Sequence, residues 1–249
     1  MPLRPFFCRV GTKRDIASFV MDYFPDPDTY DTYVEPFIGG GAIFWKKTPT
    51  ETEVINDLDK DLIAGYRRLR DIKTRDFRTD LNTAPKLQRF VDGPLRSDMD
   101  RLTAQLVTAC NTFGTKGVGK IYLPSNPATK LRKLDEYQER LRGVKIENQS
   151  YEKIIAKYDG PKTFFYLDPP YEDSESLYKH AAFDYEALRT VLSKTKGRWL
   201  LSINDSPNIR RIFKGFFFKS FTVKAKGNTA IGAAARKELL ISNYGSRGG

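Results

Sequence analysis

Soft metal ligands are scarce in this chain. Its 249 residues hold two cysteines, Cys8 and Cys110, and one histidine, His180. These three fall short of a four-ligand structural zinc site, so a zinc finger, a disulfide-dense scaffold and a His-dependent triad are disfavoured and no metal is expected. Long apolar runs are absent as well. Nothing approaches the roughly 18 consecutive apolar residues of a membrane span, and the segment from Met1 to Gly11 has no apolar core of the kind signal peptides carry. The expected location is inside a cell, cytoplasmic or beside the nucleoid, of the source itself or of a viral host, with no membrane partner. Internal repeats are missing, and the one low-complexity stretch runs from Gly245 to Gly249. Acidic charge is in the minority, 31 Asp and Glu against 42 Lys and Arg, which leaves a net +11. A balance that basic favours a polyanionic partner. The rest is an ordinary globular composition, 40% apolar with 18 Gly and 14 Pro. It rules out disorder and collagen-like order and suits one large or two unequal domains.

The positive charge is concentrated. From Arg67 to Lys145 stand eighteen Lys or Arg and nine Asp or Glu, most of the net excess. Seven short apolar segments have strand character, 32–35, 53–56, 144–148, 163–167, 198–203, 216–223 and 238–243. Between most of them lie amphipathic helical patterns, 59–70 and 184–194 among them, and Ser206-Pro207 supplies an N-cap and first-turn proline to a helix ended by Gly215. Strands alternating with helices predict an α/β protein with a doubly wound, mainly parallel seven-stranded sheet. The last two strands have no helix between them and are expected to form an antiparallel hairpin at its edge.

One connection is too long for that plan. Asp57 to Gly143 spans 87 residues, whereas a crossover helix needs about 10 to 15. The excess predicts an inserted, mainly helical subdomain over 71–142, leaving 1–70 and 143–249 for the sheet domain. Ser97 and Asp100 resemble a capping box that starts a helix with Met99, Leu102, Leu106, Cys110 and Phe113 on one stripe. Asn126-Pro127 begins another, carrying Leu131, Leu134 and Leu141 and ended by Gly143. The segment between, residues 111–125 (NTFGTKGVGKIYLPS), is a Gly- and Lys-rich loop or hairpin. Asn111, Lys116, Lys120, Lys130 and Arg132 are the candidate nucleic-acid contacts. Cys110, Trp45 and Trp199 read as core, and His180 as a surface residue.

Two motifs carry chemistry. The first, Glu35-Pro-Phe-Ile-Gly-Gly-Gly-Ala-Ile-Phe44, follows the first strand directly. Its glycines allow a sharp turn and close approach of a ligand to the main chain. It lacks the Gly-Lys-Ser/Thr of a phosphate-binding loop, and Phe44 stands where a dinucleotide fingerprint needs its third glycine, so nucleoside triphosphates and NAD are disfavoured. A carboxylate at the strand end, Glu35, suits a cationic ligand. Asp57, about twenty residues further on, ends the second strand, where an acid accepts hydrogen bonds from ribose hydroxyls; helix capping is its alternative role. Loop and acid together read as a site for a nucleoside without a phosphate chain.

The second motif, Asp168-Pro169-Pro170-Tyr171, ends the most apolar strand. Successive prolines fix φ near −65°, remove two N–H donors and keep Asp168 out of the helical region, so the turn is stiff and presents acceptors. A carboxylate, the Pro169 carbonyl and an aromatic ring suit a planar base with an exocyclic amine. A simple proline turn closing a strand is the alternative reading.

EPFIGGGAIF, INDLDKDLI and DPPY in that order, with GTK near the N-terminus, resemble the Dam-like adenine-N6 DNA methyltransferases of the D12 or alpha class. The resemblance runs from about Phe7 to Tyr244 and extends to Ser202-Ile-Asn-Asp205 and to the closing RKELLISNY. It implies a class I S-adenosylmethionine-dependent methyltransferase sheet, S-adenosylmethionine as cofactor, and adenine flipped out of double-stranded DNA as acceptor, with the basic insert in the target-recognition position. It also implies that Lys13 contacts the cofactor, that Asp57 is the ribose-binding acid, and that Asp168 serves both the catalytic turn and the cofactor. Glu35, Phe37, Gly39 and Gly41 would line the cofactor loop, and Asp168, Pro169, Pro170 and Tyr171 would form the catalytic turn. The sequence departs from the family at Arg9, where an aromatic residue is usual, and at Gly11-Thr12-Lys13, where Gly-Gly-Lys is usual. Either Phe6 or Phe7 supplies the missing ring, or the cofactor is held less tightly. RNA adenine methylation and a non-catalytic nucleic-acid-binding protein on the same fold are the competing readings. A protein-glutamine methyltransferase would more often carry Asn at position 168.

Overall fold

The computed structural model describes residues 3–8, 13, 16–111, 121, 126–172, 183–223 and 235–245. Its strands are β1 (Thr32–Glu35), β2 (Thr52–Asn56), β3 (Lys145–Glu147), β4 (Thr163–Leu167), β5 (Arg198–Asn204), β6 (Phe217–Val223) and β7 (Arg236–Ser242). They form one seven-stranded sheet in the order β3-β2-β1-β4-β5-β7-β6. β1 pairs in parallel with β2 and β4, and β4 with β5, while β7 runs antiparallel to both β5 and β6. The antiparallel edge expected from the sequence is present, with β7 inside it and β6 outermost. Chain contacts divide the protein into a sheet unit (Ser18–Phe37, Pro49–Leu58, Gln149–Gly249) and a helical unit (Met1–Ala17, Ile38–Thr48, Asp59–Asn148).

In the sheet unit, strand alternation sorts side chains onto two faces. Val34, Val54, Phe165, Leu167, Trp199, Leu201, Ile203, Leu239 and Ile241 lie on one face. They form a core with Ile154 and Ile155 of α7 (Tyr151–Tyr158), Leu188 and Leu192 of α8 (Tyr185–Leu192), and Ile209 and Ile212 of α9 (Pro207–Ile212). The predicted caps form: the Asp184 carboxylate accepts from the Ala187 N–H at 2.9 Å, and Ser206 Oγ from the Ile209 N–H at 3.1 Å. Trp199 is fully buried and donates its indole N–H to the Leu192 carbonyl. Helix α7 was not anticipated from the sequence.

A short helix, α1 (Ala17–Met21), precedes β1, and the helical unit contains α2 (Lys60–Asp71), α3 (Ala84–Asp92), α4 (Asp98–Asn111), α5 (Ala128–Leu131) and α6 (Leu134–Leu141). Helix α4 starts with the expected reciprocal box, Ser97 Oγ accepting from the Asp100 N–H at 3.0 Å and the Asp100 carboxylate from the Ser97 N–H at 3.1 Å. The single helix expected after Asn126-Pro127 is two helices, broken at Arg132-Lys133. Phe6 and Phe7 are buried, edge-on to Tyr137 and Tyr66 at centroid distances of 4.9 and 5.3 Å. Trp45 is buried against the same two tyrosines, as expected of a core residue. Cys110 corrects the expectation of a plain core cysteine: it is disulfide-bonded to Cys8, with their Cα atoms 4.8 Å apart. The two residues are 102 apart in sequence, and no local pattern signals a pairing over such a distance. No helix among the described residues is long and apolar enough to cross a membrane.

Candidate active site

The sheet order reverses between β1 and β4, and ligands of open α/β sheets bind at the carboxyl ends of strands flanking such a switch point. Glu35 ends β1 and Asp168 follows β4 directly, so the register Val34↔Phe165 sets both acids at that point. The same alternation that buries Val34 and Phe165 turns Tyr33, Glu35, Glu53, Phe164, Tyr166, Ser202, Asn204 and Glu238 to the opposite face. The polar groups of this face are buried among Ile55, Phe164, Leu200 and Leu240: Glu35 is 2% exposed, Glu53 5%, Ser202 0% and Glu238 1%.

Tyr33 donates its hydroxyl to Glu35 Oε1 at 2.5 Å. Burial and the neighbouring Glu35 carboxylate push the Tyr33 phenol well above its usual range. Tyr166 is pushed up likewise, by burial first, then by the Asp168 and Glu35 carboxylates. Glu35, Glu53 and Glu238 thus gather on one face of the sheet, in a chain whose net charge is +11. Asn204 Oδ1 is buried there with no hydrogen bond among the described residues.

The Asp168–Tyr171 turn is tethered from three elements. Tyr185 at the start of α8 donates its hydroxyl to the Pro170 carbonyl at 2.5 Å. Glu238 of β7 accepts from the Tyr171 hydroxyl at 2.9 Å. Glu172, next in sequence, accepts from Ser206 Oγ at 2.5 Å and from Asn208 Nδ2 at 2.6 Å, both at the start of α9. Tyr171 itself is half-buried against the sheet core. The loop after β1 is held by Asn56, which is 1% exposed. Its Nδ2 donates to the Pro36 and Gln149 carbonyls and its Oδ1 accepts from the Gln149 N–H, each at 2.9 Å. Phe37, next along that loop, packs with Tyr151 and Phe183 at centroid distances of 5.4 and 5.7 Å. Phe183 in turn contacts Tyr185 at 5.1 Å, so one aromatic chain links the Phe37 loop to the Pro170 tether.

Asp57 is half-buried at the end of β2 and does not cap α2. That role belongs to Asp59, whose carboxylate accepts from the Asp61 and Leu62 N–H groups at 3.0 Å. The rest of the glycine motif lies in the helical unit, the division falling between Phe37 and Ile38. Gly39 and Gly41 have φ of 45° and 69°, which favours glycine at both. A Cβ on Gly39 would meet nothing within 4 Å, whereas one on Gly41 would crowd Trp45, Tyr66 and Ile38. Lys13 is buried in the same unit.

Phe6 and Phe7 do not supply a stacking ring for a ligand, because both are committed to the helical core. Among the candidate polyanion contacts, Arg132 is exposed. Lys130 points inward, its Nζ donating to the Pro5 carbonyl at 2.7 Å and the Phe6 carbonyl at 2.6 Å, with Cys8 and Cys110 Sγ at 3.6 and 3.5 Å. Arg9, Thr12, Phe113, Lys116, Lys120, His180 and the side chain of Asn111 lie outside the described residues. Sequence reasoning passed over Tyr33, Asn56, Tyr166, Tyr185 and Glu238. The available signal was a polar or charged residue inside an otherwise apolar strand, as in Arg236-Lys-Glu-Leu-Leu-Ile.

Residues 10–93 and 97–229 match the family model described as D12 class N6 adenine-specific DNA methyltransferase. Type II methyltransferase M1.LlaDCHI of Lactococcus lactis subsp. cremoris is 27% identical over 283 residues, covering 98% of this chain and 96% of that protein. Type II methyltransferase M.CviBI of Paramecium bursaria Chlorella virus NC1A is 24% identical over 264 residues, covering 97% and 100%. Type II methyltransferase M.MjaIII of Methanocaldococcus jannaschii is 24% identical over 294 residues, covering 98% and 100%.

Proposed function

Since the chain belongs to the D12 class of N6 adenine-specific DNA methyltransferases, its reaction is methyl transfer from S-adenosylmethionine to adenine N6 in DNA, and we propose that this transfer takes place at the Asp168–Tyr171 turn. The observation that carries the assignment is the pair of acids at the switch point, buried Glu35 at the end of β1 and half-buried Asp168 directly after β4. Carboxylates placed there suit a sulfonium and a nucleoside, and repel a phosphate chain. Asn204 Oδ1, which has no hydrogen bond among the described residues, is a group that a ligand on this face would engage.

The bound cofactor supplies an electrophilic methyl group that needs no further activation. The protein's task is the amine, whose lone pair is delocalised into the adenine ring. In this reading the Asp168 carboxylate and the Pro169 carbonyl accept the two amine N–H bonds and favour a pyramidal nitrogen aligned with the methyl group. The Pro170 carbonyl is already engaged by Tyr185, which fixes the direction of the turn. The Tyr171 ring stacks on the base, offsetting the few kcal/mol needed to extrude it from a duplex. Asp57 accepts from the ribose hydroxyls, Phe37 walls the site, and motif position adds Arg9, Lys13, Gly39 and Gly41 to cofactor binding. Target recognition falls to residues 71–142. There Asn111, Lys116, Lys120 and Arg132 contact DNA, so affinity falls steeply with salt. Lys130 is set apart from this group by its inward bonds. A DNA substrate also places the work inside a cell.

The test is transfer of labelled methyl to unmethylated duplex DNA, with RNA in parallel, followed by nucleoside analysis. N6-methyladenine in duplex DNA is expected. Asp168→Ala should lower the rate at least about a hundredfold while salt-sensitive DNA binding persists. Full activity in Asp168→Ala would overturn the assignment of the turn.

A further inference from the structure

Resting on the placement of transfer at the Asp168–Tyr171 turn, we propose that Glu238 is a positioning residue, its carboxylate holding the Tyr171 ring in the orientation that receives the base. The argument begins with burial. Glu238 is 1% exposed and sits in β7 just before Leu239, Leu240 and Ile241, all buried. A carboxylate in such surroundings is costly unless paired and hydrogen-bonded. Arg236, its side chain 60% exposed, reaches Glu238 Oε1 at 3.3 Å. The other oxygen, Oε2, is turned to the Tyr171 hydroxyl at 2.9 Å.

That bond constrains a ring with two soft torsions. At its backbone end Tyr171 follows two prolines, which stiffen the turn, and the neighbouring Pro170 carbonyl is held by Tyr185. Anchoring the hydroxyl at the far end fixes χ1, the torsion that swings the whole ring. The phenolic O–H prefers the ring plane by conjugation, so the direction of the acceptor also biases χ2, which is otherwise broad. A hydrogen bond to an ionised acceptor is about twice as strong as a neutral one. Register supplies the placement, because Glu238 is the ladder partner of Asn204 at the end of β5, and β5 lies beside β4. The carboxylate thus belongs to the same polar face as Tyr166.

The experiment measures methylation of unmethylated duplex DNA by the full chain, with kcat and the KM for each substrate, for Glu238→Ala, Glu238→Gln, Tyr171→Phe and the Glu238→Ala/Tyr171→Phe double variant, alongside Tyr171→Ala. Glu238→Ala and Tyr171→Phe should each lower kcat about tenfold and leave the cofactor KM unchanged. The double variant should be no worse than either single one, and Glu238→Gln, whose amide oxygen still accepts, should recover much of what alanine loses. Additive losses in the double variant, or a wild-type rate in Tyr171→Phe, overturn the inference. If Glu238→Ala does not fold, Tyr171→Phe decides alone, because it removes the same bond without disturbing a buried charge. Wild-type methylation by Tyr171→Ala would overturn the placement of the base at Tyr171 and this inference with it. An inactive Tyr171→Ala beside a fully active Glu238→Ala overturns the inference alone.

Discussion

Replacing Lys130 by methionine separates two roles that a lysine in a basic insert can play. Its ammonium donates to the Pro5 and Phe6 carbonyls at 2.7 and 2.6 Å. Methionine keeps most of the apolar stem and removes only the charged head. Hydrogen bonds involving a charged group contribute about 1.5–3 kcal/mol each, but the freed carbonyls at this half-buried site regain some water, so a loss of about 2–4 kcal/mol is expected. For a chain of this size that lowers Tm by roughly 5–15 °C. The assay pairs a thermal melt with DNA affinity measured across a salt series. Lys130→Met should melt early and leave the slope of log affinity against log salt unchanged. Arg132→Ala, at an exposed position, should do the reverse, with an unchanged melt and a slope reduced by about 0.9. A Lys130→Met protein of normal Tm and reduced slope would refute the inward role.

Asn56→Ala removes one buried and two partly buried hydrogen bonds at 2.9 Å and strands main-chain groups of Pro36 and Gln149. A loss of about 2–4 kcal/mol is expected in chemical denaturation, and an unshifted midpoint would contradict the strut. The Cys8–Cys110 bond closes a separation of 102 residues, so the oxidised protein should exceed the reduced one in stability by about 4–5 kcal/mol; equal melts with and without reductant would show otherwise. Burial raises Tyr33 and Tyr166 well above the usual tyrosine range and pushes Tyr137 up to about 12. Above about pH 10 the unfolded chain sheds phenolic protons that the folded chain keeps, so stability is complete below that pH and is lost as pH rises through the folded values. Ultraviolet phenolate absorbance should show these tyrosines ionising together with unfolding. Their free titration in folded protein would remove the basis of the claim.

What the sequence determined by itself is what local signals encode. The bounds of β1 and β4 follow from short apolar runs closed by Glu35 and by Asp168-Pro169. The starts of α4, α8 and α9 follow from Ser97, Asp184 and Ser206, because a cap acts on N–H groups two or three residues away. The order of the motifs placed the chain in its family. Tertiary structure alone decided which strands became neighbours, and with them the polar face. Glu238 lies 67 residues from Tyr171, and it reaches that hydroxyl because β7 inserts between β5 and β6. The helix cap passed from Asp57 to Asp59, two acids that composition does not distinguish, on the geometry of one turn. Lys130 and the paired cysteines had the same history. In sequence they were a charge in a basic stretch and a small residue on an apolar stripe, and long-range packing brought an ammonium, two carbonyls and two sulfurs to one place. Such contacts depend on chain segments more than a hundred residues apart, beyond the reach of any periodicity or capping rule.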